Sequence, residues 1–201
     1  QQLTRSGVED LDAVRRALGV ERLWLFGNSV GGMTAIDYAA TCGEHVEGLL
    51  LYGVGARGSA APDYPWAATA QQLDKWLAAM HSGWGGAVAL DQYAPSCAGD
   101  TDVQQSWARM MRQSASKHSM PLLLKAFSRM DVRPRLPHVR TPTLVVQREG
   151  DRIVRAGAAR FLASNIAGAR LAMLPGDDHL MWCGDTGAVI ESKSNRLEAI
   201  Q

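Results

Sequence analysis

Cysteine is scarce: Cys42, Cys97 and Cys183 are the three in 201 residues, too few and too scattered for a disulfide framework, and no two stand at metal-ligand spacing. A metal centre is therefore not expected, and a reducing cytoplasm suits the composition. No apolar run approaches the roughly 18 residues of a membrane span. The opening QQLTRSGVED has neither the basic nor the apolar region of a signal peptide, so a soluble chain without a membrane partner is expected. A block of one charge is also missing. Twenty-one basic and 20 acidic residues are mixed along the chain and leave a formal charge of +1, so nothing resembles the basic tract that follows phosphates, and nucleic acid is not an expected partner. Internal repeats and low-complexity tracts are absent as well.

What is present is a chain of 46% hydrophobic and 20% charged residues, long enough to bury roughly two-thirds of its unfolded surface as one domain. Three zones differ in texture: 1–54, 55–139 and 140–201. In the first, VEDLDAVRRALG places Val8, Leu11, Val14 and Leu18 at helical spacing before Gly19. RLWLFG reads as a buried strand, a helix begins within SVGGMTAIDYAATCG, and VEGLLLYG reads as a second buried strand, which together imply a parallel pair. The last zone repeats the scheme with TPTLVVQ, AGAARFLASNIAGA and RLAMLPG, followed by a weakly amphipathic segment to Gln201. The middle zone reads as a helical cap inserted between them. Its helical stretches, around TAQQLDKWLAAM, DVQQSWARMMRQSA and MPLLLKAFSRM, are separated by Gly- and Pro-rich pieces, and it holds Trp66, Trp76, Trp84 and Trp107. Aromatics at such spacing are ordinarily core, but the underside of a cap also meets ligand.

Chemistry enters at FGNSVGGMT. A strand entering a helix through Gly27-Asn28-Ser29-Val30-Gly31 holds its middle residue in a strained, exposed turn, and Gly27 and Gly31 are expected where side chains would collide. Ser29 then stands at a helix N-terminus, with the backbone N–H of Val30 as an oxyanion donor. The competing reading is a glycine-rich turn of a nucleotide-binding sheet, yet no third glycine completes Gly-x-Gly-x-x-Gly and no P-loop lysine follows.

A serine hydroxyl needs a histidine base oriented by a carboxylate. REGDRIV places Asp151 just past one strand, and LPGDDHLMW places His179 past the next, 28 residues on, with room for one helix and one strand between. Asp151 could instead cap the following helix. Asp177 and Asp178 adjoin His179 and are read as shaping its turn. His45, His81, His118 and His138 fall on helices, in the cap or in its return connection, as ordinary packed or solvated imidazoles. Asn28, Trp66, Trp84 and Trp182 are the expected substrate contacts, and no cofactor is implied.

FGNSVGG, GDRIV and GDDHLMW resemble the α/β-hydrolase superfamily across nearly the whole chain. LLLYGVGARGSAAPDYPW, GWGGAVALDQYAPS and LPGDDHLMWCGD are similar, more narrowly, to α/β-hydrolase domains found beside or fused to bacterial adenylate/guanylate cyclases. The resemblance implies an α/β fold, the C-terminal portion of an α/β-hydrolase with a helical cap insertion, and carries nucleophile, acid and base to Ser29, Asp151 and His179. Such a sheet has about eight strands; this sequence is expected to lack the first four, along with the loop that supplies the second oxyanion donor, a loss of about 10²–10³ in rate. RLWLFG would then be an apolar sheet edge through which two copies pair as a homodimer. The polar tail AVIESKSNRLEAIQ is read as a junction to a further domain, of which a fused cyclase or other signalling domain is one form. The implied function is a serine hydrolase acting on a small acyl ester; the alternatives are a ligand-sensing module for a cyclase-type domain and an inactive remnant. Epoxide and haloalkane chemistry in this fold uses a carboxylate at the elbow, so Ser29 argues against both.

Overall fold

A computed structural model describes residues 2–197, with side-chain burial described for residues 6–191. Among the described residues, four strands, β1 (Leu23–Asn28), β2 (Val46–Tyr52), β3 (Thr143–Arg148) and β4 (Arg170–Leu174), form one parallel sheet in the order β1-β2-β3-β4. Parallel neighbours need crossover connections. Helix α2 (Val30–Thr41) links β1 to β2, and α7 (Ala156–Asn165) links β3 to β4.

Side-chain alternation on the strands divides the core into two layers. Leu49, Leu51 and Val145 face a cluster built with Ile36 and Met33 of α2 and Leu162 of α7, whereas Leu50, Tyr52, Leu144 and Val146 face Val189 of α8 (Thr186–Leu197). All six residues of β3 are buried: Leu144, Val145 and Val146 supply the apolar run, and Thr143, Gln147 and Arg148 are buried polar groups.

β1 departs from the buried strand expected. Leu25 and Gly27 point into the core, but Trp24 and Phe26 remain 40% and 46% exposed. They stand on the sheet face that α8 covers mainly at β3 and β4. The Trp24 ring lies over Gly48 of β2, where a Cβ would come within 2.0 Å of it. Helix α1 (Gln2–Ala17) packs on α2, yet only Val8 and Leu11 of its apolar set meet the core; Val14 and Leu18 face solvent. Arg15 takes the inward position instead, donating to Asp12 and to the Val20 carbonyl.

Residues 53–142 contain no strand and carry α3 (Ala70–Gly83), α4 (Leu90–Tyr93), α5 (Thr101–Ser114) and α6 (Ser119–Ser128). Thr69 and Gln72 form a capping box at α3, and the Asp100 carboxylate caps α5. The three longer helices fall where the periodicity placed them; α4, a single turn, is too short to leave a period. Met80, Leu90, Trp107, Met111 and Leu124 form a separate cluster that also takes in Leu180 and Cys183 from the C-terminal zone. The segment expected to run to Gln201 forms α8, and residues 198–201 lie outside the described residues. Among the described residues no helix is long and apolar enough to cross a membrane.

Candidate active site

Ser29 follows β1 directly and has φ 50° and ψ −129°, a conformation a non-glycine residue keeps only where its surroundings hold it. Here the Ser29 N–H donates to the Tyr52 carbonyl at 3.0 Å, and its own carbonyl accepts from Gly32 N–H at 3.0 Å. A Cβ on Gly27 would stand 2.6 Å from the Gly32 Cα, so strand and helix meet backbone to backbone. The second crowded position is not Gly31, as the motif suggests, but Gly32. Gly31 faces outward with nothing near its missing Cβ, while one on Gly32 would strike Val54 at 2.2 Å.

Asp151 and His179 come from the loops after β3 and β4, at the same sheet edge as Ser29, and both are almost fully buried (4% and 2% exposed). His179 Nδ1 lies 2.8 Å from Asp151 Oδ2, and His179 Nε2 lies 2.9 Å from Ser29 Oγ. A carboxylate can only accept, so Nδ1 carries the proton and Nε2 is left to accept from the serine hydroxyl. Asp151 also fulfils its competing reading in part: Oδ1 accepts from the N–H groups of Ile153 and Val154, capping the turn before α7 while Oδ2 faces the imidazole. Gln147 donates from Nε2 to Asp151 Oδ2 at 3.1 Å and to the Val154 carbonyl at 2.9 Å. Gly53, at φ +59°, lies beneath the pair, where a Cβ would be 3.0 Å from His179 Cε1.

The loop bearing His179 is held from two sides. Buried Arg148 donates to the carbonyls of Asp178, Leu180 and Asp185 and lies 3.6 Å from the Asp178 carboxylate. From the helical zone, the Tyr93 carbonyl accepts from both His179 N–H and Leu180 N–H, and Ser96 donates to Asp178 from its N–H and its hydroxyl. Asp178 thus shapes the turn. The Tyr93 ring meets the imidazole edge-on at 5.6 Å, and burial holds its hydroxyl well above the usual phenol range. His45, His81, His118 and His138 are not part of this site.

Ser29 and Val30 open onto a cavity of about 860 Å³ between the sheet edge and α3, α5 and α6, within the size range of small-molecule sites. Val30 is the first residue of α2, where backbone N–H groups have no partner in the helix. Trp66, Trp76, Tyr93, Trp107 and Phe127 supply aromatic walls, and Arg57, Arg152 and Arg155 supply cationic groups. Of the expected substrate contacts, only Trp66 lines this cavity. Asn28 ends β1 without reaching it; Trp84 packs at the end of α3 against the helical cluster; Trp182 is largely exposed and borders a second cavity of about 420 Å³. Trp76, Tyr93 and Trp107 were missed because helical spacing does not say which face of α3, α4 or α5 turns toward the sheet.

Residues 5–185 match the family described as serine aminopeptidase, S33. A 2-hydroxy-6-oxo-6-phenylhexa-2,4-dienoate hydrolase from Comamonas testosteroni is 29% identical over 161 residues, which are 77% of this chain and 55% of that protein. Serine hydrolase BPHL from Mus musculus is 23% identical over 171 residues, 85% of this chain and 53% of the relative. The chain thus spans a little over half the length of these curated relatives. Among solved structures, an esterase (EaEST) from Exiguobacterium antarcticum superposes with a TM-score of 0.77 at 22% identity, covering 96% of this chain and 72% of the esterase.

Proposed function

Because the chain belongs to the serine aminopeptidase, S33, family of hydrolases, we propose that it is a serine hydrolase that cleaves a small acyl ester through Ser29, His179 and Asp151. The observation that carries this reading is the continuous relay from Ser29 Oγ to His179 Nε2 at 2.9 Å and from Nδ1 to Asp151 Oδ2 at 2.8 Å. Ser29 Oγ attacks the acyl carbon as its proton passes to Nε2, and the buried Asp151 carboxylate stabilises the imidazolium. The Val30 N–H faces the oxygen that becomes negative. His179 then protonates the departing alcohol oxygen, leaving the acyl group on Ser29. A water molecule delivers its proton to the same nitrogen and releases the acid.

Turnover of p-nitrophenyl acetate and butyrate by the 201-residue chain tests the proposal. Ser29→Ala is expected to remove at least about 10³-fold of the activity, and activity that survives the substitution would overturn it. The cavity favours a second substrate reading. Aromatic walls with Arg57, Arg152 and Arg155 suit an oxo acid with an apolar end and a carboxylate, the kind of compound named for the Comamonas testosteroni relative. A kcat/KM for such a compound above that for p-nitrophenyl butyrate would select it. Covalent labelling of Ser29 by a fluorophosphonate without turnover of either substrate would instead favour a ligand-sensing role for the same cavity.

A further inference from the structure

We propose that Cys97 and Cys183 are a hydroperoxide-sensitive thiol pair that closes into an intramolecular disulfide, tying the helical zone to the loop that carries His179. The two residues are 86 positions apart in sequence but border the same cavity, beside Trp107 and Trp182. Cys97 is partly exposed and Cys183 is buried. Both pack in one apolar cluster with Trp107, Met111 and Leu180, and Ser96 Oγ lies 3.4 Å from the Cys97 sulfur.

This asymmetry divides the roles. Cys97 is partly exposed at the border of the cavity, so a hydroperoxide reaches its sulfur first. Burial pushes Cys183 up to about 12, so it stays protonated as a waiting partner. A reachable thiol beside a second, buried cysteine is the arrangement of a sensing and resolving pair. Cys42, beyond the end of α2, is raised by burial and has neither cysteine beside it in this cavity.

The chemistry balances with one hydrogen peroxide. The Cys97 thiolate attacks an oxygen, the O–O bond breaks, and the departing hydroxide takes a proton to become water, leaving a sulfenic acid. Cys183 sulfur then attacks that sulfur; the S–S bond forms, the S–O bond breaks, and the Cys183 proton leaves with hydroxide as a second water. The segments are already clamped beside each cysteine by the bonds from Ser96 to Asp178 and from Leu180 to Tyr93, so the ring closes between parts held together beforehand.

The test treats the 201-residue chain with hydrogen peroxide, counts free thiols after denaturation and maps peptides without reduction. The wild-type chain should lose two of its three thiols, recover both with dithiothreitol, and yield one peptide pair joined through Cys97 and Cys183 within a single chain. Cys183→Ser should lose one thiol and give a dimedone adduct on Cys97, and Cys97→Ser should keep both remaining thiols at the same dose. Sulfinic acid on Cys97 with Cys183 still free, prior oxidation of Cys42, a disulfide between chains, or no thiol loss would each overturn the proposal. The wild-type map decides alone, so a variant that fails to fold does not weaken the test. The outcome is independent of ester turnover.

Discussion

Ser29 keeps its left-handed backbone because Tyr52, Gly32 and the close approach at Gly27 leave it no other course, and this aims its hydroxyl at His179 rather than along the helix. Gly53 is the less visible counterpart. Gly53→Ala must place a side chain at φ +59° and within 3.0–3.1 Å of the imidazole. The left-handed backbone alone costs about 1–2 kcal/mol, so thermal denaturation should show a lower midpoint and ester assays a kcat reduced beyond what that loss explains. Asp151→Asn presents a donor to a nitrogen that must itself donate and so favours the wrong tautomer. Its kcat should fall by about 10³–10⁴, while the turn that Oδ1 caps stays in place and the melting temperature changes little; unchanged kcat would remove Asp151 from the relay. Ser29, Asp151 and His179 were legible because each follows an apolar run that could only be a strand, and strand ends converge at one edge. Gly53, Gln147 and the exchange of Gly31 for Gly32 were not, because each depends on which atoms meet across the sheet.

At the scale of elements, the loop from Asp178 to Asp185 has no regular structure of its own and borrows its shape from Arg148 on β3. Arg148→Met removes three donors and leaves Asp178 buried beside an empty place. Removing one partner of a buried pair typically costs about 3–5 kcal/mol, to be read from urea unfolding. Arg148→Met combined with Asp178→Asn should be less destabilised than the sum of the two single changes, and simple additivity would show that the pair is not coupled. The strands and the longer helices were readable from their periods. The face each helix presents was less so: α1 carries its apolar residues at regular spacing, but the core it meets extends only under Val8 and Leu11. Arg148 itself reads in sequence as the polar end of a strand, and nothing short of the fold shows three carbonyls arriving around it.

For the whole molecule, the order β1-β2-β3-β4 puts β1 at the sheet's end among the described residues, with Trp24 and Phe26 half exposed on one face. Apolar edge strands recruit other strands. The 201-residue chain is therefore expected to scatter light as a dimer at high concentration and to shift toward monomer with Trp24→Lys; a monodisperse monomer in the wild-type chain would rule out this pairing. Cys97 and Cys183 belong to the same scale, since two scattered thiols become neighbours only when the helical zone lies against the C-terminal loops. The Tyr93 carbonyl, accepting from both His179 and Leu180, has a mechanical consequence. One oxygen of the helical zone holds two successive N–H groups of the C-terminal loop, so a displacement at Tyr93 would be passed to the backbone that carries His179.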